Sequence, residues 1–69
     1  MQAHAIAAAG IASAADRFEA SARRTAAAPL ADLAGETVER ITAELAFKAN
    51  ASVLKTADEM AGTLLDILA

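Results

Sequence analysis

The chain has 69 residues, a formal net charge of −3 at pH 7, one histidine and no cysteine. That length allows one small domain, which buries too little surface to be robust without a staple or a partner. Disulfides and thiolate metal sites are excluded, a lone His4 cannot build a histidine metal site, and no basic footprint suits nucleic acid.

Hydrophobic residues make up 57% of the chain, but most are alanine, and the only aromatic residues are Phe18 and Phe47. Alanine is the best helix former and contributes little apolar area. A core of such residues lets helix backbones approach closely. It offers no wide interior for a small-molecule substrate or a cofactor.

The first predicted element is a helix from about Gln2 to Ala27, within an N-terminal segment 1–28. Met1 to Ala15 carries no Asp, Glu, Lys or Arg. It lacks the basic start of a secretory leader and is shorter than the roughly 20 residues that span a bilayer. The reading is a buried or assembly-facing helix, with neither a cleaved signal nor a membrane span. Ile11, Ala15, Phe18, Ala22 and Thr25 follow the four-three spacing of a packed seam. Gly10 is either a tolerated cost of about 1 kcal/mol within the helix or, as its small neighbours favour, a point of close helix approach. Arg23-Arg24 reads as a solvated helix end, where cations complement the dipole.

Pro29 is the only proline and breaks the pattern. Residues 29–35 form the turn region, with Gly35 blurring the first turn of the next helix. Segment 36–69 holds that long second helix, which is expected to start between Pro29 and Glu36 and, from Glu36, to run to about Ile67. Asp32 and Glu36 lie where carboxylates complement its N-terminus. At about 48 Å it outruns a first helix of about 38 Å.

This second helix carries apolar residues on two sides. At about 100° per residue, Val38, Ile41, Leu45, Ala49, Val53, Met60, Leu64 and Ile67 share one side. Phe47, Leu54, Ala61 and Leu65 lie roughly opposite, with Leu68 nearby. Two apolar sides need two partners. Both sides are expected to be buried in the assembly, one against the first helix and one against a neighbouring chain. Periodicity leaves open which, with Val53, Met60 and Leu64 taken for the first helix and Phe47, Leu54, Leu65 and Leu68 for the neighbour. The 11-residue steps from Val38 to Ala49 to Met60 keep the stripe nearly straight. A charged arc of Arg40, Glu44, Lys48, Lys55, Asp58, Glu59 and Asp66 separates the two, with i,i+4 pairs Glu44–Lys48 and Lys55–Glu59. It reads as a solvated face. An isolated chain is therefore expected to couple folding to self-association.

Catalytic chemistry finds no footing. His4 lies in the first turn, where no partner is expected. Ser13, Ser21 and Ser52 lack a nucleophile elbow, and Asp58-Glu59 diverge by about 100° around their helix. No phosphate loop or metal-ligand spacing occurs. No catalytic, cofactor or metal site is assigned.

Ala46-Phe47-Lys48-Ala49-Asn50-Ala51, then Val53-Leu54-Lys55-Thr56-Ala57-Asp58-Glu59-Met60, then Leu64-Leu65 resembles the C-terminal helix of the bacterial flagellar axial proteins, the rod and hook family. With Asp32-Leu33 and Glu36-Thr37-Val38 the resemblance spans about residues 31 to 68. Ala5-Ile6-Ala7-Ala8-Ala9-Gly10-Ile11 and Ala14-Ala15-Asp16-Arg17-Phe18-Glu19-Ala20-Ser21-Ala22 are similar to the family's N-terminal segment. Arg23-Arg24-Thr25-Ala26-Ala27-Ala28-Pro29 stands where the family usually has an Asn-rich stretch, and the two terminal helices are joined without the β-rich middle domain.

The resemblance implies a structural subunit or adaptor of the rod/basal-body axial structure. It also implies export through the flagellar secretion apparatus without a cleaved signal, from a cytoplasmic precursor. The alternative is a soluble homo-oligomeric module, interaction or regulatory, that binds axial or export components. Either way the expected fold is an all-α helical hairpin with a long C-terminal helix, assembling into a coiled-coil-like bundle or tube. The expected partners are further copies of itself or flagellar axial proteins. The expected interface residues are Phe47, Val53, Leu54, Met60, Leu64, Leu65 and Leu68.

Overall fold

The computed structural model describes residues 2–69; Met1, part of the expected N-terminal segment, lies outside them. Two helices, α1 (Gln2–Ala27) and α2 (Leu33–Leu68), pack side by side as an all-α hairpin 58 Å long and about 14 Å thick.

The turn follows from three residues. Pro29 stands second in a turn closed by the Ala31 N–H donating to the Ala28 carbonyl at 3.1 Å, the position its fixed φ suits. Asp32 takes φ 48 and ψ 45, a left-handed conformation that aspartate tolerates better than most residues. Gly35 then leaves room for the Asp32 carboxylate, into which a Cβ there would run. With the carboxylate accommodated, helix begins at once: the Glu36 N–H donates to the Asp32 carbonyl at 3.0 Å. Thus α2 starts at Leu33, within the expected interval from Pro29 to Glu36.

The seam between the helices is built from small residues. Ala7, Ala14 and Ala43 are at most 2% exposed, and Ser21 is fully buried. Ile11 and Thr25 sit half-buried beside them, but Ala15 and Ala22 of the expected seam are exposed. The contact face is rotated toward Ala7, Gly10, Ala14 and Ser21, because alanine, glycine and serine permit the closest backbone approach. Gly10 is such an approach: a Cβ there would overlap the Asn50 amide, whose Nδ2 donates to the Ala46 carbonyl at 2.7 Å. Alanine would gain about 1 kcal/mol of helix propensity but force Asn50 aside. Gly10→Ala should therefore leave the thermal midpoint unchanged or lower it. In an Asn50→Ala background the same change should raise it, and a thermal-denaturation double-mutant cycle measures the difference.

Periodicity leaves open which side of α2 meets α1; the hairpin closes the side that carries Leu54. Leu54 is half-buried against α1, with Ala57 and Ala61 further along. Val53, Met60 and Leu64, expected on α1, are 48%, 62% and 57% exposed. An alanine-lined α1 fits the side of α2 carrying Ala43, Asn50 and Ala57 more closely than the side carrying Met60 and Leu64. Shape, not apolar area, decides which side closes.

Candidate assembly surface

Two regions of the hairpin carry chemistry: a polar clasp near the turn and an uncovered apolar stripe along α2.

The clasp centres on Glu36, one turn into α2. Arg24, at the end of α1, donates from Nε to Oε2 at 2.6 Å and from Nη2 to Oε1 at 3.1 Å. The Ser21 hydroxyl faces both Glu36 Oε1 at 2.9 Å and the Glu36 carbonyl at 3.1 Å. Arg40 donates to Thr25 Oγ1 at 2.7 Å and to Ser21 Oγ at 3.3 Å. Arg17 reaches Glu39 at 3.0 Å. Arg24 is thus a cross-turn partner, which corrects its reading as a solvated helix end; Arg23 pairs with Glu19 on its own helix. Arg40 likewise leaves the solvated arc and enters the seam. A buried serine hydroxyl needs a partner, and the residues one turn either side of the loop are near enough to supply it.

Hydrogen bonds from Arg24, then from Ser21, hold the Glu36 carboxyl below the usual carboxylate range, and Arg24 is held above its ordinary value by the same contact. A depressed folded-state value stabilises above the unfolded value, about 4.3. That contribution should fade as pH falls from there through the lower folded value. Glu36→Gln should flatten this part of the acid limb in a thermal-midpoint profile. An unchanged profile would remove the clasp from the stability of the fold.

At the far end His4 Nε2 lies 3.7 Å from Asp58 Oδ1. The partnerless His4 is therefore corrected. Both side chains are about half or more exposed, so even with His4 protonated the pair contributes little. Glu44–Lys48 forms at 2.9 Å, whereas Lys55–Glu59 is not within ion-pair distance.

The expected interface residues fall in four places. Phe47 faces Phe18 across an open apolar groove of about 500 Å³ that also touches Ala14, Ala15 and Ala43, with Glu44 and Lys48 on its rim. Leu54 lies in the seam. Leu65 and Leu68 are exposed on the part of α2 that runs past α1. Val53, Met60 and Leu64 join Val38, Ile41, Leu45 and Ile67 in a stripe that none of the described residues covers; all seven are at least 48% exposed. Thr42 and Thr63 lie on this stripe. Their hydroxyls donate to the Val38 and Glu59 carbonyls of their own helix at 2.9 and 3.0 Å, so neither leaves an unpaired hydroxyl donor on the stripe. The stripe was legible as a second apolar side; the clasp was missed. Its signal was a serine and two arginines spaced to meet Glu36 and Thr25 across a short turn.

Among the described residues no cluster of metal-binding side chains occurs, and no helix is long and apolar enough to cross a membrane. The clasp ties the last turns of α1 to the first turns of α2.

Residues 31–67 match the family model described as flagellar basal body rod FlgEFG protein C-terminal. No curated protein and no solved structure matches the chain. The match begins at the turn, covers nearly all of α2 and takes in the whole uncovered stripe. It thereby carries a structural role in the flagellum, at the basal body, in a family of rod components rather than of enzymes. The chain belongs to the flagellar basal body rod FlgEFG protein C-terminal family.

Proposed function

We propose that the protein is a structural subunit or adaptor of the flagellar rod, joining a helical assembly through the uncovered side of α2. The observation that carries this is the stripe from Val38 to Ile67, uncovered over its full length within the family-matched segment. Contiguous exposed apolar surface of this extent marks an interaction site. In this reading α1 occupies one side of α2 and sets its orientation, leaving the other side for neighbouring copies or axial proteins. No catalysis, cofactor, nucleic acid or small-molecule substrate enters it. The precursor leaves the cytoplasm by the flagellar export route without losing a signal peptide.

A strain deleted for the gene tests the reading. Motility should fall, and axial proteins should co-purify with a tagged copy that restores it. Normal motility with no co-purifying flagellar protein would refute the flagellar role.

A further inference from the structure

We infer that the uncovered stripe also pairs with itself, so that two copies form an antiparallel dimer with its twofold axis beside Ser52 and Val53. The inference rests on reading the stripe as an assembly surface and goes further by naming a second copy and a register.

The register comes from the spacing of the large residues. Val38, Ile41 and Leu45 are separated by steps of 3 and 4; Met60, Leu64 and Ile67 by steps of 4 and 3. The pattern reads the same in both directions. An isologous interface requires this property, because residue i must meet residue j while j meets i. With two α2 helices antiparallel and centred between residues 52 and 53, Val38 meets the second copy's Ile67. Ile41 then meets Leu64, and Leu45 meets Met60. Thr42 meets Thr63, both with hydroxyls already bonded to their own helix. At the centre Val53 meets Ser52. Every large residue of the stripe away from the axis finds a large partner, and no charge is buried.

Three further features fit. The 11-residue steps keep the stripe almost straight, so the contact runs its full length without supercoiling. In an antiparallel pair like flanks face each other. On the flank occupied by Lys48 and Glu59, each Lys48 therefore lies near the second copy's Glu59, and the twofold axis makes this contact twice. Finally, seven large side chains, each leaving on the order of 100 Å² bare, approach the ~800 Å² per partner of a standard interface. In a parallel pairing opposite flanks would face each other, so Lys48 of one copy and Glu59 of the other would lie on opposite sides of the contact and this charge pairing would be lost. Because the antiparallel dimer covers the surface proposed for axial assembly, it must open before the chain joins the rod.

The chain has no cysteine, so single cysteines report the register directly. Full-length Val53→Cys should form a disulfide-linked dimer under mild oxidation. Val38→Cys should not, since its two copies would lie about 44 Å apart. A mixture of Val38→Cys and Ile67→Cys should cross-link as a heterodimer. Self-linking of Val38→Cys without the mixed product would establish a parallel pairing and overturn the inference. Monomeric mass at millimolar concentration, with helicity intact, would overturn it as well. Co-purification with axial proteins is scored separately on the unmodified chain, so failure of the dimer and failure of the rod reading are distinguished.

Discussion

Replacing Ala43 with leucine should open the hairpin. Ala43 is 1% exposed and packs where α2 comes closest to α1, opposite Ala14 at 2%. Three extra carbons have no space there, and overpacking of this kind costs about 1–3 kcal/mol. For a domain of this size that loss lowers the thermal midpoint by roughly 4–24 °C. Total stability scales with length and is only a few kcal/mol here, so the upper end of the range leaves much of the population unfolded at 37 °C. Helix propensity is not at issue, since leucine is nearly as good as alanine. A thermal melt followed by circular dichroism checks the result, with exposed Ala49→Leu as control. If Ala43→Leu melts with the wild type, α1 and α2 do not pack through this seam.

Charging the stripe should do the opposite: it should spare the fold and abolish association. Leu45→Asp with Met60→Asp alters residues 63% and 62% exposed, so the hairpin loses almost no packing. In an assembly both positions are desolvated. An unpaired carboxylate then costs about 2 kcal/mol or more at each site. Two sites weaken association on the order of a thousandfold. Sedimentation should give the monomer at concentrations where the wild type associates, with helicity retained apart from the fraction that assembly itself stabilises. Unchanged size would show that the chain assembles, if at all, through another surface.

These two variants separate what the sequence made legible from what it did not. Two helices, a break at Pro29 and two apolar sides on the long helix all follow from periodicity and one proline. Which side closes did not follow. Helical angle sets Val53, Met60 and Leu64 on one side and Leu54 on the other without deciding which side meets α1. The hairpin buries the side carrying Ala43, Asn50 and Leu54, because Gly10, Ala14 and Ser21 offer close approach to small residues only. Helical angle reports direction; complementarity of shape needs both helices at once.

The clasp was missed for a related reason. Ser21, Arg24, Glu36 and Arg40 each read as ordinary exposed polar residues on their own helix. Their meaning depends on how tightly the turn closes. That was fixed by Asp32 adopting a left-handed conformation and by the space left at Gly35. The family resemblance was carried by contiguous residues on one helix, Thr56-Ala57-Asp58-Glu59-Met60 above all, and needed no tertiary information.

The most direct test of the central claim is the protein content of purified basal bodies from the source organism. Mass spectrometry of that fraction should detect this chain alongside the rod components. The chain should disappear from it when the only copy carries Leu45→Asp and Met60→Asp, while remaining in the cell at its normal level. Basal bodies that lack the wild-type chain, or that retain the doubly charged variant undiminished, would contradict a structural role exerted through the uncovered side of α2.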